Sequence, residues 1–60
     1  MKLHEAQVGT KFQFIGQHKQ TYQVIQNYRL GVQYINIKGK TLKDSGYNGA
    51  NYYKEIINVL

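Results

Sequence analysis

The residue types able to do covalent chemistry are few in this chain of sixty: two histidines, three carboxylates and a single serine, with no cysteine. Ser45 lies beside Asp44, and with His18 the pair makes a Ser-His-Asp set on paper. Such a set also needs an oriented base and an oxyanion hole, and a chain this short has little scaffold for either. Two histidines fourteen positions apart, His4 and His18, match neither zinc nor calcium ligand spacing. Gly46-Tyr47-Asn48-Gly49 lacks the Lys-Ser/Thr ending of a phosphate-binding loop. The sequence therefore reads as non-enzymatic, without metal or cofactor.

Binding chemistry is better represented. Eight Lys or Arg stand against three Asp or Glu, a formal charge of +5. That sign reflects scarce acids more than abundant lysines, since no carboxylate occurs between Glu5 and Asp44. Lys38, Lys40 and Lys43 form the densest basic run, where they can neutralise phosphates. Arg29 can fork onto a phosphate or stack on a base. Tyr28 and Tyr34 add stacking faces, the combination single-strand binders use. A second cluster spans Ser45 to Tyr53, where half of the six tyrosines mix with Gly, Asn and Ser. Tyrosine gives large contact area at low entropic cost, and Gly and Asn let a loop adapt. Tyr47, Asn48, Tyr52 and Tyr53 are its candidate contact residues. Tyr52 or Tyr53 is expected to pack inward, because neighbours on an extended chain face opposite ways. Tyr47 is expected to stay exposed.

The elements that must position these groups read as short strands. Lys11-Phe12-Gln13-Phe14 alternates, turning Phe12 and Phe14 to one face. Thr21-Tyr22-Gln23-Val24 does the same with Tyr22 and Val24, and Ile25 then breaks the register as a bulge or a doubly covered position. Val32 to Ile37 alternates with Ile35 and Ile37 inward. Ile56 to Leu60 reads as a closing strand covered on more than one side. Gly16 to Gln20 and Asn27 to Gly31 are the expected links. Lys38-Gly39 supplies the positive φ of a tight hairpin, and Asn48-Gly49 is the strongest turn dipeptide.

One domain over residues 1–60, all-β with five short strands, follows from this pattern. A 3₁₀ or short helical turn fits between Tyr47 and Glu55. Closure into a barrel would remove the two edges an open sheet exposes. Leu3, Val8-Gly9-Thr10-Lys11-Phe12, Tyr22-Gln23-Val24-Ile25 and Glu55-Ile56-Ile57-Asn58-Val59 together resemble the SH3-like barrels. More loosely, they resemble the small phage and prophage proteins built that way. The resemblance implies a compact accessory factor docking on a host or phage protein.

Two functions follow as expectations. Nucleic acid, single-stranded favoured, comes first on the charge balance. An acidic protein partner bound through the tyrosine loop is the alternative. No apolar run approaches the ~20 residues that span a bilayer, and no signal-peptide pattern is present, so no membrane and a cytoplasmic location are expected. A homodimer through the C-terminal strand is a further expectation. The two functions separate on one point: whether the lysine hairpin and the tyrosine loop share a face.

Overall fold

The structure, a computed structural model, describes residues 1–59. A 3₁₀ turn at Leu3–Glu5 precedes five strands: β1 (Lys11–Phe14), β2 (Gln17–Tyr28), β3 (Gly31–Asn36), β4 (Leu42–Gly46) and β5 (Ile56–Asn58). All five join one antiparallel sheet in the order β4-β3-β2-β1-β5. Among the described residues no ladder joins β4 to β5, so the sheet does not close on itself as a ring. No helix of the described chain is long and apolar enough to cross a membrane.

β2 organises the rest. Its twelve residues are long enough to pair with β1 on one side and β3 on the other. Tyr22 stands opposite Phe12 in one ladder and Asn36 in the other. The break expected at Ile25 is a bulge: the β2–β3 register shifts between Val24 and Gln26. The extra residue leaves Ile25 exposed while Val24 stays in the core.

The core occupies one face of the sheet. Phe12, Phe14, Tyr22 and Tyr34 meet as a quartet in which every pair of rings lies within 5.3–6.0 Å. Five of the six pairs are edge-to-face, the arrangement that sets a ring's positive rim against another's negative face. Val24, Val32 and Ile56 extend the cluster, and Leu3 and Ala6 of the N-terminal segment cover it. Asn27 ties that cover down by donating to the carbonyls of His4 and Ala6 at 3.0 and 2.6 Å.

Several local expectations change. In β3 the inward residues are Val32 and Tyr34, not Ile35 and Ile37. Tyr34 pairs with the buried Val24, and a one-residue difference in register exchanges the faces of a whole strand. The link from β1 to β2 shrinks to Ile15-Gly16, and that from β2 to β3 to Arg29-Leu30. In the β3–β4 hairpin the positive φ falls on Lys40 (59°) and not on Gly39. There the Asn36 carboxamide oxygen accepts the Lys38 and Gly39 N–H groups and fixes the turn. The 3₁₀ turn lies at the N-terminus, while the segment before β5 is a chain of single turns closed by Gly49→Gly46, Tyr52→Gly49 and Lys54→Asn51 hydrogen bonds. Only Ile56 of β5 is buried, because an edge strand has one face on the core. Leu60, the last residue of the expected closing strand, lies outside the described residues.

Gly31 holds the β2–β3 hairpin against β4. A Cβ there would sit 2.6 Å from the Ser45 carbonyl oxygen, a backbone atom that cannot swing away. Gly31→Ala is therefore expected to destabilise by about 1–3 kcal/mol, visible in a thermal melt as a drop of roughly 4–8 °C per kcal/mol.

Candidate binding surfaces

β3 separates the two expected contact clusters. Its six residues span roughly 20 Å at the usual rise of a strand. At one end the Arg29-Leu30 turn meets Tyr47, whose N–H donates to the Leu30 carbonyl at 2.9 Å. At the other end lies the Lys38–Lys40 hairpin. Lys43 lies between them on β4, opposite Tyr34. The lysine hairpin and the tyrosine loop thus occupy opposite ends of the sheet.

The first end is apolar and aromatic. Leu30 is 72% exposed and Tyr47 61%. Arg29 joins them around a shallow cleft. Behind this pair the loop is rigidified by stacking. Tyr52 packs on the core, and the His4 ring lies flat on it at 4.8 Å and 5°. Tyr47 and Tyr53 meet Tyr52 edge-on at 5.5 and 5.0 Å. The Tyr53 hydroxyl donates to the Asn48 side-chain oxygen at 2.7 Å, and Lys2 sits 5.9 Å over the Tyr53 ring. Asn51 donates to the Tyr34 hydroxyl at 3.0 Å and pins the loop to the core. Tyr52 is thus the inward tyrosine and Tyr47 the exposed one, as the sequence implies. Tyr28, half-exposed, lies with Val8, Gln26 and Asn27 around a neighbouring depression.

The second end is basic and carries no exposed aromatic ring. Lys38 and Lys40 on one hairpin approach the Gln17–Gln20 start of β2, which carries Lys19. The two segments are joined by the Ile37 N–H donating to the Thr21 carbonyl at 3.0 Å. Among the described residues the one ion pair joins the N-terminal ammonium to Glu55 at 3.1 Å, so these lysines have no carboxylate partner. Glu5 is also engaged. Its carboxylate accepts the Lys2 N–H at 2.7 Å, which holds it below the usual carboxylate range.

The stacking role expected of Tyr34 does not survive. Its ring belongs to the core quartet, only 2% exposed, and cannot present a face to a base. Nor do the paper triad's members meet. Ser45 is buried facing the core, whereas Asp44, its neighbour on β4, points to the opposite, exposed face. His18 is held in the β1–β2 hairpin, its ring bonded to Gln13 and Gly16. No three His, Asp or Glu side chains among the described residues converge as a metal-binding group. Sequence reading gives no surface role to Leu30, His4 or Lys19. For Leu30 a signal existed, since a large aliphatic residue inside a polar turn has no core to enter. For His4 and Lys19 none did, because both depend on contacts distant in sequence.

The chain has no match to any protein-family model, curated protein or solved structure.

Two measurements check this picture. Burial pushes the Tyr34 hydroxyl above the ordinary tyrosine value, the Asn51 bond offsetting part of the rise. A pKa raised by folding contributes stability below the ordinary value, about 10, and that contribution is lost as pH climbs through the raised one. Denaturation midpoints should fall above about pH 10, and ultraviolet titration should show one tyrosine ionising after the others. The buried Ser45 hydroxyl has no hydrogen-bond partner. Ser45→Ala should leave stability unchanged or raise it by up to about 1 kcal/mol, whereas a loss above that would reveal a bond the hydroxyl makes.

Proposed function

We propose that this chain is a non-enzymatic protein-binding module whose contact surface is the end built from Arg29, Leu30 and Tyr47. The observation that carries this reading is the Tyr47–Leu30 backbone bond, which holds two large exposed side chains together beside a guanidinium. Exposed tyrosine and arginine around an aliphatic anchor are the residue types that dominate interface energetics. The loop behind them is braced by His4, Tyr52 and Asn51, so little ordering entropy is lost on binding. A net charge of +5 favours an acidic partner and speeds its encounter.

The architecture is read as SH3-like with an open seam. Supporting this is the five-stranded antiparallel order, with the N- and C-terminal strands β1 and β5 adjacent. An accessory factor of the kind small phage proteins represent fits that reading.

A second reading, nucleic-acid binding, draws on Lys19, Lys38 and Lys40, which face solvent with no carboxylate among them. It lacks stacking groups at that end, so it would rest on phosphate contacts alone.

A photocrosslinking residue placed at Leu30 should join the chain to a defined acidic protein in nuclease-treated extract, and one placed at Lys38 should not. Leu30→Asp and Tyr47→Ala should lower affinity for that protein by about tenfold or more, with the thermal transition nearly unchanged. Salt-sensitive oligonucleotide binding lost on Lys38→Glu, with no Leu30 crosslink, would instead establish the second reading.

A further inference from the structure

Asn48-Gly49 is the one asparagine-glycine pair in the chain, and the turn that holds it admits few other residues. Asn48 sits at φ 60°, a left-handed conformation that asparagine tolerates better than most side chains. A Cβ on residue 49 would stand 2.9 Å from the Gly46 carbonyl oxygen, so the turn needs glycine there. The pair that suits the turn is also chemically labile. With no side chain on Gly49, nothing shields its nitrogen from the carboxamide carbon of Asn48.

Tyr53 is aimed at that carboxamide. Its hydroxyl donates to Oδ1 of Asn48 at 2.7 Å. The ring is itself held, edge-on to Tyr52 at 5.0 Å and to His4 at 5.1 Å, with the Lys2 ammonium 5.9 Å above it. A donor fixed on a carbonyl oxygen stabilises the negative charge that oxygen takes on when its carbon is attacked. The other asparagines are placed differently. Asn27, Asn36 and Asn58 lie in strands, and Asn51 precedes the bulky Tyr52 and donates its amide to the Tyr34 hydroxyl.

We propose that Asn48 is a self-modification site, converted to aspartate and isoaspartate by the Gly49 nitrogen, with the Tyr53 hydroxyl donating to the developing oxyanion. Base removes the Gly49 amide proton, and the nitrogen attacks Cγ of Asn48. A C–N bond forms, the Cγ–Nδ2 bond breaks, and Nδ2 leaves as ammonia with one proton taken from solvent. Water then opens the five-membered imide at either carbonyl, and no atom is oxidised or reduced. One bond gates the first step. The Gly49 N–H donates to the Gly46 carbonyl at 2.8 Å and must let go before the nitrogen can turn. It is a single turn bond among exposed residues, the kind that opens at low cost.

Either product carries a carboxylate, which takes one from the formal charge of +5. Aspartate still accepts the Tyr53 hydroxyl. Isoaspartate adds a main-chain carbon, so the Gly46–Gly49 turn no longer closes as before. The new charge stands next to Tyr47 in the chain and disfavours an acidic partner at that surface. This last effect rests on the protein-binding reading, whereas the reaction itself does not.

The purified wild-type chain, kept for weeks in neutral buffer at body temperature, should gain one mass unit and release ammonia. Peptide mapping should place aspartate and isoaspartate at residue 48 and leave Asn27, Asn36, Asn51 and Asn58 intact. Tyr53→Phe, checked for folding by circular dichroism, should slow the reaction about tenfold, the worth of one hydrogen bond to the reacting oxygen. In guanidinium chloride, where the loop is lost, the variant and the wild type should react at one rate. A ring-fluorinated tyrosine at residue 53, a stronger donor of nearly the same shape, should speed the folded chain. A hydroxyl that merely braces the loop gives the opposite sign for Tyr53→Phe, since its removal frees the carboxamide. Asn48 intact after the incubation, conversion at another asparagine first, or no slowing in folded Tyr53→Phe would overturn the proposal. So would a fluorinated chain no faster than the wild type.

Discussion

Four aromatic rings, Phe12, Phe14, Tyr22 and Tyr34, form the contact on which the rest of the fold depends. They come from three strands, and each touches the other three. A sixty-residue chain has little else to bury. A domain of this size hides only ~60% of its unfolded surface, and here no disulfide supplements it. Edge-to-face pairs add about 0.5–1.5 kcal/mol each beyond burial, so the quartet gives strength and also fixes the register of β1, β2 and β3. The Tyr34 hydroxyl then reaches out to Asn51, which links that core directly to the tyrosine loop.

Because the quartet aligns the strands, it also sets where the surface groups go. Turns fall at the two ends of the sheet, and the turn residues differ in kind. One end receives Arg29, Leu30 and Tyr47, the other Lys19, Lys38 and Lys40. Three of the seven lysines, Lys19, Lys38 and Lys40, thus gather at the end far from Leu30 and Tyr47. A single-strand binder needs stacking faces and cations together; the lysine end carries no exposed aromatic ring, and at the other end Arg29 is the cation beside Tyr47.

Much of the strand pattern was legible in the sequence. Phe12, Phe14, Tyr22 and Val24 alternate cleanly, and the break at Ile25 announces its bulge. The faces of β3 are ambiguous in the sequence because Val32, Tyr34, Ile35 and Ile37 are all good strand residues, and only pairing with Val24 decides which face is wet. Tyr34 illustrates the cost: one register step turns a stacking candidate into a core residue. Positive φ was assigned to Gly39 on residue preference, yet the Asn36 side chain caps the turn and shifts that conformation to Lys40. In the tyrosine loop chain geometry implies only that Tyr52 and Tyr53 do not both point inward, and the packing of Tyr52 on the core decides between them. The stacking of His4 on Tyr52 joins residues forty-eight apart and leaves no local trace.

The topology has a kinetic side. β1 to β4 form a meander in which each strand pairs with its neighbour in sequence. The β1–β5 ladder, Phe12 opposite Asn58, joins the two ends of the chain, together with the N-terminal bonds from Leu3 N–H to the Lys54 carbonyl, His4 N–H to the Tyr52 carbonyl and Ile56 N–H to the Met1 carbonyl. These contacts carry the entropy of closing a long loop, so the meander can assemble before them and persist after they open. The tyrosine loop is strung between β4, on the meander, and β5, on this late-closing seam. Its shape is therefore complete only in the fully folded molecule, and a partial opening at β5 would loosen the loop while leaving the aromatic quartet largely in place.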